Sequence, residues 1–192
     1  KIIGTSLSKI GGKGLFVKEL EEALLEQRAD IAVHSLKDMP ALQPDGLELA
    51  TYCERADYRD VLISKKYKTF ADLPSGANVG TSSLRRMAQL KILRSDVNVT
   101  LLRGNVDTRI QKALADDGQY DAIILASAGV TRLQLEYLIS DYLNTTDFLP
   151  APGQGIVAIE CRSDDLATKQ LIKTIGCTKA TACAKAERAF NA

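Results

Sequence analysis

An α/β protein of two lobes is the fold class this sequence predicts, on three observations. Short β-branched or aliphatic runs alternate with helical patterns along the chain, the signature of largely parallel strands covered by helices. The middle of the chain repeats a strand-loop-helix unit three times in succession. Two segments, the polar residues 54–58 and the Pro/Gly-rich residues 149–155, have the composition of domain crossings. A chain that leaves one domain near residue 55 and returns near residue 155 forms two lobes joined by a two-strand hinge, with a cleft between them.

The elements follow in order. Residues 16–27 read as a helix, with Phe16, Leu20, Ala23, Leu24 and Leu25 on its apolar face. Residues 30–34 read as a strand, ended by Lys37-Asp38-Met39-Pro40 because proline holds the residue before it extended. Residues 47–53 and 60–64 are further strands. The strand at 77–80 leads through Thr81-Ser82-Ser83 into a helix at 84–93. The strand at 97–102 leads through Arg103-Gly104-Asn105 into a helix reaching residue 116. The strand at 120–126 leads through Ser127-Ala128-Gly129 into a helix at 130–138. Each of these loops is rich in small or helix-capping residues. Residues 156–161 are the returning strand, and 178–190 a final alanine-rich helix.

Composition narrows the function. The 192 residues carry 25 Lys plus Arg against 24 Asp plus Glu, a net charge of +1, and 45% are hydrophobic. That balance is ordinary for a globular protein and far from disorder. With a pI near 7.8, the chain lacks the basic excess that duplex nucleic acid requires. No apolar stretch approaches the roughly 18 residues of a membrane span, and no signal segment opens the chain, so the sequence reads as cytoplasmic. The single histidine, His34, leaves little scope for metal chemistry. Cys53 and Cys161 sit in apolar strand-like runs and read as buried thiols. Cys177 and Cys183 form a disulfide only if the fold brings them together.

In open α/β sheets, ligands gather at the carboxyl ends of strands. The loops there carry one sign of charge: Arg85 and Arg86 after Gly80-Thr81-Ser82-Ser83, Arg103 and Arg109 around Gly104-Asn105, and Arg132 after Gly129. Taken singly, any of these reads as a solvated helix face. Five at loop or first-turn positions of three successive units point to a site for several anionic groups, because helix N-termini offer free N–H groups and guanidinium forks match carboxylate oxygens. Gly11-Gly12-Lys13-Gly14 lacks the spacing and the preceding strand of a nucleotide-binding P-loop. A serine hydrolase is poorly supported, because adjacent His34 and Ser35 in a strand face opposite sides. Carboxylates are the simplest guests. Asp38, at the end of a first-lobe strand, is either a salt-bridge partner or a charge aimed at something electron-poor.

Five motifs coincide with one family. Gly11-Gly12-Lys13-Gly14-Leu15-Phe16-Val17-Lys18-Glu19, Ala32-Val33-His34-Ser35-Leu36-Lys37-Asp38-Met39-Pro40, Val79-Gly80-Thr81-Ser82-Ser83-Leu84-Arg85-Arg86, Leu102-Arg103-Gly104-Asn105-Val106-Asp107-Thr108-Arg109 and Pro152-Gly153-Gln154-Gly155 run in order over almost the whole chain. The sequence resembles porphobilinogen deaminase, also called hydroxymethylbilane synthase. The resemblance implies two lobes of the type II periplasmic-binding-protein kind plus a small third domain. It implies a cytoplasmic, monomeric transferase of tetrapyrrole (heme) biosynthesis that joins four porphobilinogen units with release of ammonia, on a covalently held dipyrromethane cofactor.

By that resemblance Asp38 is the catalytic carboxylate. Ser35, Lys37, Thr81, Ser83, Arg85, Arg86 and Arg109 match positions that hold the cofactor's carboxylates. Arg103, Arg109, Arg132, Lys9, Lys13 and Gln154 match positions that handle substrate. Two departures stand out. The family's opening strand, with its Arg-x-Ser motif, is not represented, and the primer-bearing cysteine is expected a few residues beyond Asn191; none of Cys53, Cys161, Cys177 or Cys183 matches it. The expected organisation is a first lobe of 1–54 plus 156–175, a second lobe of 55–155, and 176–192 as the first helix of an otherwise missing third domain. This fragment by itself is expected to be inactive. The competing expectation is a non-enzymatic two-lobed module that closes on a small carboxylate ligand.

Overall fold

The computed structural model describes residues 12–116 and 118–191, with the side chains of residues 12–16 and 191 excepted. The chain divides into two compact units, Lys1–Arg55 with Ile156–Ala192, and Ala56–Gly155. At the second crossing Gly155 has φ +87°, and a Cβ there would lie 2.6 Å from the Ala56 carbonyl oxygen. Only glycine accommodates both conditions, and the Ala56 N–H donates to the Gly155 carbonyl at 3.1 Å.

Among the described residues the first element of the first unit is α1 (Gly12–Leu25). Its buried face is Val17, Glu21 and Leu24, spaced by four and three residues, while Leu20 is 42% exposed and Leu25 48% exposed. The predicted apolar face is therefore rotated from the observed one, which admits a glutamate. The helix ends where Gln27 takes φ +59° and the Arg28 N–H returns to the Ala23 carbonyl at 2.9 Å. Three strands follow: β1 (Ala32–Ser35), β2 (Leu47–Tyr52) and, more than a hundred residues later, the strand Val157–Arg162. The late strand pairs antiparallel with both others and lies between them. Two helices, Leu166–Lys173 and Thr178–Asn191, complete the unit. The last of these contributes buried Ala184 to a core of Leu36, Tyr52, Ile156 and Ala158, and Arg55 ties to its Glu187 at 2.5 Å. Residues 176–192 thus pack with the first unit in this chain.

The second unit is a five-stranded sheet. Numbered along the chain, its strands are β3 (Asp60–Ile63), β4 (Asn78–Gly80), β5 (Asn98–Thr100), β6 (Ala122–Ala126) and β7 (Asp141–Tyr142), so the returning strand Val157–Arg162 is β8. The spatial order is β5-β4-β6-β3-β7. Helices α2 (Leu84–Leu93), α3 (Val106–Leu114) and α4 (Ser127–Arg132) follow β4, β5 and β6; the first unit's two late helices are α5 and α6. Both faces are covered: Leu62 and Ile124 pack with Val79, Leu90 and Phe148 on one side, Val61, Ile63, Ile123 and Leu125 with Leu102, Ile110 and Val130 on the other. A strand covered on both faces needs no polar alternation, which is why Asp60–Ile63 is buried at every position.

The α/β class and the type II periplasmic-binding-protein kind of fold hold, with three corrections of detail. Strand pairing is mixed rather than largely parallel: among the described residues only β4–β5 and β4–β6 are parallel, because β8 and β3 follow crossings from the other unit and run antiparallel to their neighbours. The helix expected at 130–138 is instead α4, beginning three residues earlier at Ser127, and a separate 3₁₀ turn at Glu136–Leu138. Gln134, at φ +58°, separates the two because a left-handed residue cannot continue an α-helix. Helix α5 and strand β7 have no counterpart in the sequence reading.

Candidate functional site

In the second unit the site is built on the ends of β4, β5 and β6. After Gly80, the Thr81 N–H donates to the Thr100 carbonyl at 2.9 Å, and the Thr81 hydroxyl accepts from the Ser83 N–H at 3.2 Å. Ser83 caps α2, its Oγ accepting from the Arg86 N–H at 3.5 Å. The chain thereby puts Arg85 and Arg86 in the first turn of α2, where the positive end of the helix already favours anions. At the next loop Gly104 adopts φ +124°, and the Arg109 Nε donates to its carbonyl at 2.6 Å. Arg103 is partly buried, and Arg132 stands exposed in the last turn of α4.

Three of the predicted residues converge on one that was not predicted. Asp60 Oδ1 accepts from Arg86 Nε at 3.1 Å and Nη2 at 2.7 Å, and from Gln154 Nε2 at 2.9 Å. Its Oδ2 forms an ion pair with Arg85 Nη2 at 2.7 Å. Arg86 Nη1 donates to the Ile124 carbonyl at 3.0 Å, and Gln154 Nε2 also reaches the Tyr58 carbonyl at 2.8 Å. Burial lowers the Arg85 pKa from the ordinary arginine value, opposed by Asp60. Burial also lowers that of Arg109, and the nearby positive charge of Arg86 adds to the effect. For both arginines burial disfavours the charged form, and only for Arg85 does a neighbouring carboxylate oppose it.

The first unit holds a second group of predicted residues. Ser35 ends β1, and Leu36–Asp38 form a 3₁₀ turn. Leu36 is buried and its N–H donates to the Ile156 carbonyl at 3.0 Å, while the Met39 N–H returns to the Leu36 carbonyl at 3.1 Å. Pinned at Leu36, the turn leaves Lys37 and Asp38 partly exposed. Beneath it, on the opposite face of β1 from Ser35, buried His34 Nε2 lies 2.9 Å from Glu160 Oε2. Burial raises the pKa of Glu21, and Glu160 raises it further against a smaller lowering by His34. Lys9 and the side chain of Lys13 lie outside the described residues.

Sequence reasoning missed Asp60 as the partner of the arginines, and missed the buried His34–Glu160 pair. The signal available was an acidic residue inside an otherwise apolar strand, which marks a buried carboxylate in need of a partner. All four cysteines are free. Among the described residues no helix is long and apolar enough to cross a membrane.

The chain is similar in fold to several solved structures. A nutrient binding protein from Burkholderia cenocepacia bound to methionine matches with a TM-score of 0.54 at 15% identity, over 86% of this chain and 78% of the other. Immunogenic lipoprotein A from Vibrio vulnificus matches with a TM-score of 0.53 at 14% identity, over 87% and 82%. An ABC transporter periplasmic substrate-binding protein from Coxiella burnetii matches with a TM-score of 0.51 at 15% identity, over 87% and 79%. At such identities the likeness concerns the fold. The family model described as porphobilinogen deaminase, dipyromethane cofactor binding domain, matches residues 1–170. The chain belongs to the porphobilinogen deaminase family.

The matched stretch contains every residue of both groups above. For a porphobilinogen deaminase, the donor set fits a ligand bearing several carboxylates. Arg85 and Arg86 bring two positive charges to one buried carboxylate, Asp60, with the Thr81 and Ser83 hydroxyls at the head of α2, and Arg109 of α3 stands close enough to Arg86 to feel its charge.

Proposed function

We propose that the chain is the cofactor- and substrate-binding part of a transferase that joins four porphobilinogen molecules into hydroxymethylbilane with release of ammonia, working in the cytoplasm as a monomer. The observation that carries this reading is the surplus of guanidinium groups around Asp60 within a stretch that matches the cofactor-binding family model. Porphobilinogen and oligopyrroles made from it present acetate and propionate groups, and paired arginines recognise such carboxylates by geometry as well as charge.

Ser35, Lys37, Thr81, Ser83, Arg85, Arg86 and Arg109 would hold the carboxylates of the dipyrromethane cofactor. When bound, that cofactor supplies the carbon to which the first substrate unit is joined. Arg103, Arg109, Arg132, Lys9, Lys13 and Gln154 would steer substrate and the lengthening chain. Asp38 would act on the reacting unit. Loss of ammonia leaves a cationic azafulvene, and carbon–carbon bond formation leaves a pyrrolium; a fixed carboxylate beside the ring nitrogen lowers the energy of both. The partly exposed 3₁₀ turn, anchored by Leu36, supports this role because it holds the carboxylate without sealing it from a ligand. Free thiols support a reducing compartment.

Isothermal titration of the chain with porphobilinogen, set against a panel of amino acids, tests the reading. Saturable binding of porphobilinogen alone is expected. Preference for an amino acid would replace the reading with that of a two-lobed binding module for small carboxylates.

A further inference from the structure

The arginine cluster of the second unit turns on a carboxylate outside the recognisable motifs. Asp60 begins β3, and its side chain is fully shielded from solvent. Such a group costs several kcal/mol to desolvate and persists only where partners compensate it. Here one negative charge meets two guanidinium groups, so the trio keeps one positive charge in surplus.

The two arginines differ in how much they have left to offer. Arg86 is 7% exposed at its side chain, and its Nε, Nη1 and Nη2 all donate to Asp60 or to the Ile124 carbonyl. Arg85 keeps 24% of its side chain exposed and meets Asp60 Oδ2 through Nη2 as an ion pair by distance, without hydrogen-bond geometry, while its Nη1 donates to the Leu149 carbonyl. Gln89 reinforces that second anchor, since its Nε2 donates to the same carbonyl at 3.0 Å and its Oε1 accepts from the Leu149 N–H at 2.5 Å. Arg86 is thus a strut, and Arg85 is the guanidinium with surface to spare.

We infer that Asp60 is a positioning residue: by holding Arg86 on one oxygen and Arg85 on the other, it presents Arg85 to a ligand carboxylate already oriented. The inference rests on the proposed reading of the site as one that binds carboxylates. It deepens that reading by assigning the orientation of Arg85 to a residue that touches no ligand.

The isosteric variant Asp60→Asn separates positioning from simple charge. If Asp60 were only a negative charge in the field, neutralising it would make the cluster more positive and strengthen anion binding. If it positions Arg85, the variant frees that side chain and its ordering is charged to the binding step, which weakens binding. Porphobilinogen is titrated calorimetrically into the unsubstituted chain and the variant, each well below its melting temperature. In parallel, nitrogen-15 side-chain NMR follows hindered rotation of the Arg85 and Arg86 guanidinium groups. The expected result is a loss of affinity of about tenfold with faster rotation of Arg85. Equal or tighter binding by the variant overturns the inference. Should Asp60→Asn fail to fold, Gln89→Ala, which loosens the Leu149 anchor, decides instead: an Arg85 that then rotates freely overturns positioning by Asp60, and one that stays hindered supports it. If the unsubstituted chain does not bind porphobilinogen, the proposed function falls, while the change in Arg85 rotation between the unsubstituted chain and the variant still decides whether Asp60 holds it.

Discussion

Asp60 is shielded from solvent and contacted by three side chains, whereas Asp38 is partly exposed at the end of a short turn. That contrast separates a carboxylate enclosed by its partners from one that solvent still reaches. Asp38→Ala in a catalytically complete porphobilinogen deaminase carrying this sequence is expected to abolish turnover and leave the melting temperature nearly unchanged; turnover near the unsubstituted level would remove the role given to it. Glu21 offers a pH test. Its pKa is raised by burial and by Glu160, so the folded state takes up a proton more readily than the unfolded one. The charged form is therefore a cost in the fold, absent below the ordinary carboxylate range and fully present above the raised value. Stability attributable to Glu21 falls as pH rises through that window. Glu21→Gln is expected to raise the melting temperature at neutral pH, with the gain shrinking as pH is lowered into the carboxylate range. Denaturation curves of both forms across pH check this. Asp60 was not legible in the sequence as part of the site, because its partners Arg86 and Gln154 are 26 and 94 residues away and only the fold unites them.

Among the elements, legibility followed the local start signals and the length of the segment. Helix α2 was read at its observed bounds: Ser83 caps it, and Leu90 is fully buried. Helix α5 was not read: it is eight residues long and buries only Ile172, while its other large apolar residues, Leu166 and Leu171, are 74% and 73% exposed. The direction of strand pairing was equally hidden, because it depends on where distant segments re-enter a sheet. Leu90 supplies a quantitative test of how α2, and with it Arg85 and Arg86, is fastened to the sheet. Leu90→Ala should destabilise the second unit by about 2–5 kcal/mol, measured by denaturant unfolding. A loss well under that range would show that α2 is held mainly by the Asp60 ion pairs rather than by its packing.

At the scale of the whole molecule, the two units differ in how their chain is laid out. The second is one continuous stretch, Ala56–Gly155. The first depends on β8, which fills the middle of its sheet between β1 and β2 although it comes last of the three in sequence. During synthesis, therefore, β1 and β2 leave the ribosome with no partner for the edges that β8 will occupy, and the entire second unit is made before that strand exists. Closing so long an intervening segment delays the first sheet, since non-local pairing carries its loop entropy in advance. Pulsed hydrogen exchange during refolding should find amides of β3, β4 and β6 protected ahead of those of β1 and β2; simultaneous protection would rule the order out. The insertion that builds the two-unit fold thus also leaves a time during which two unpaired strand edges are open to misassembly.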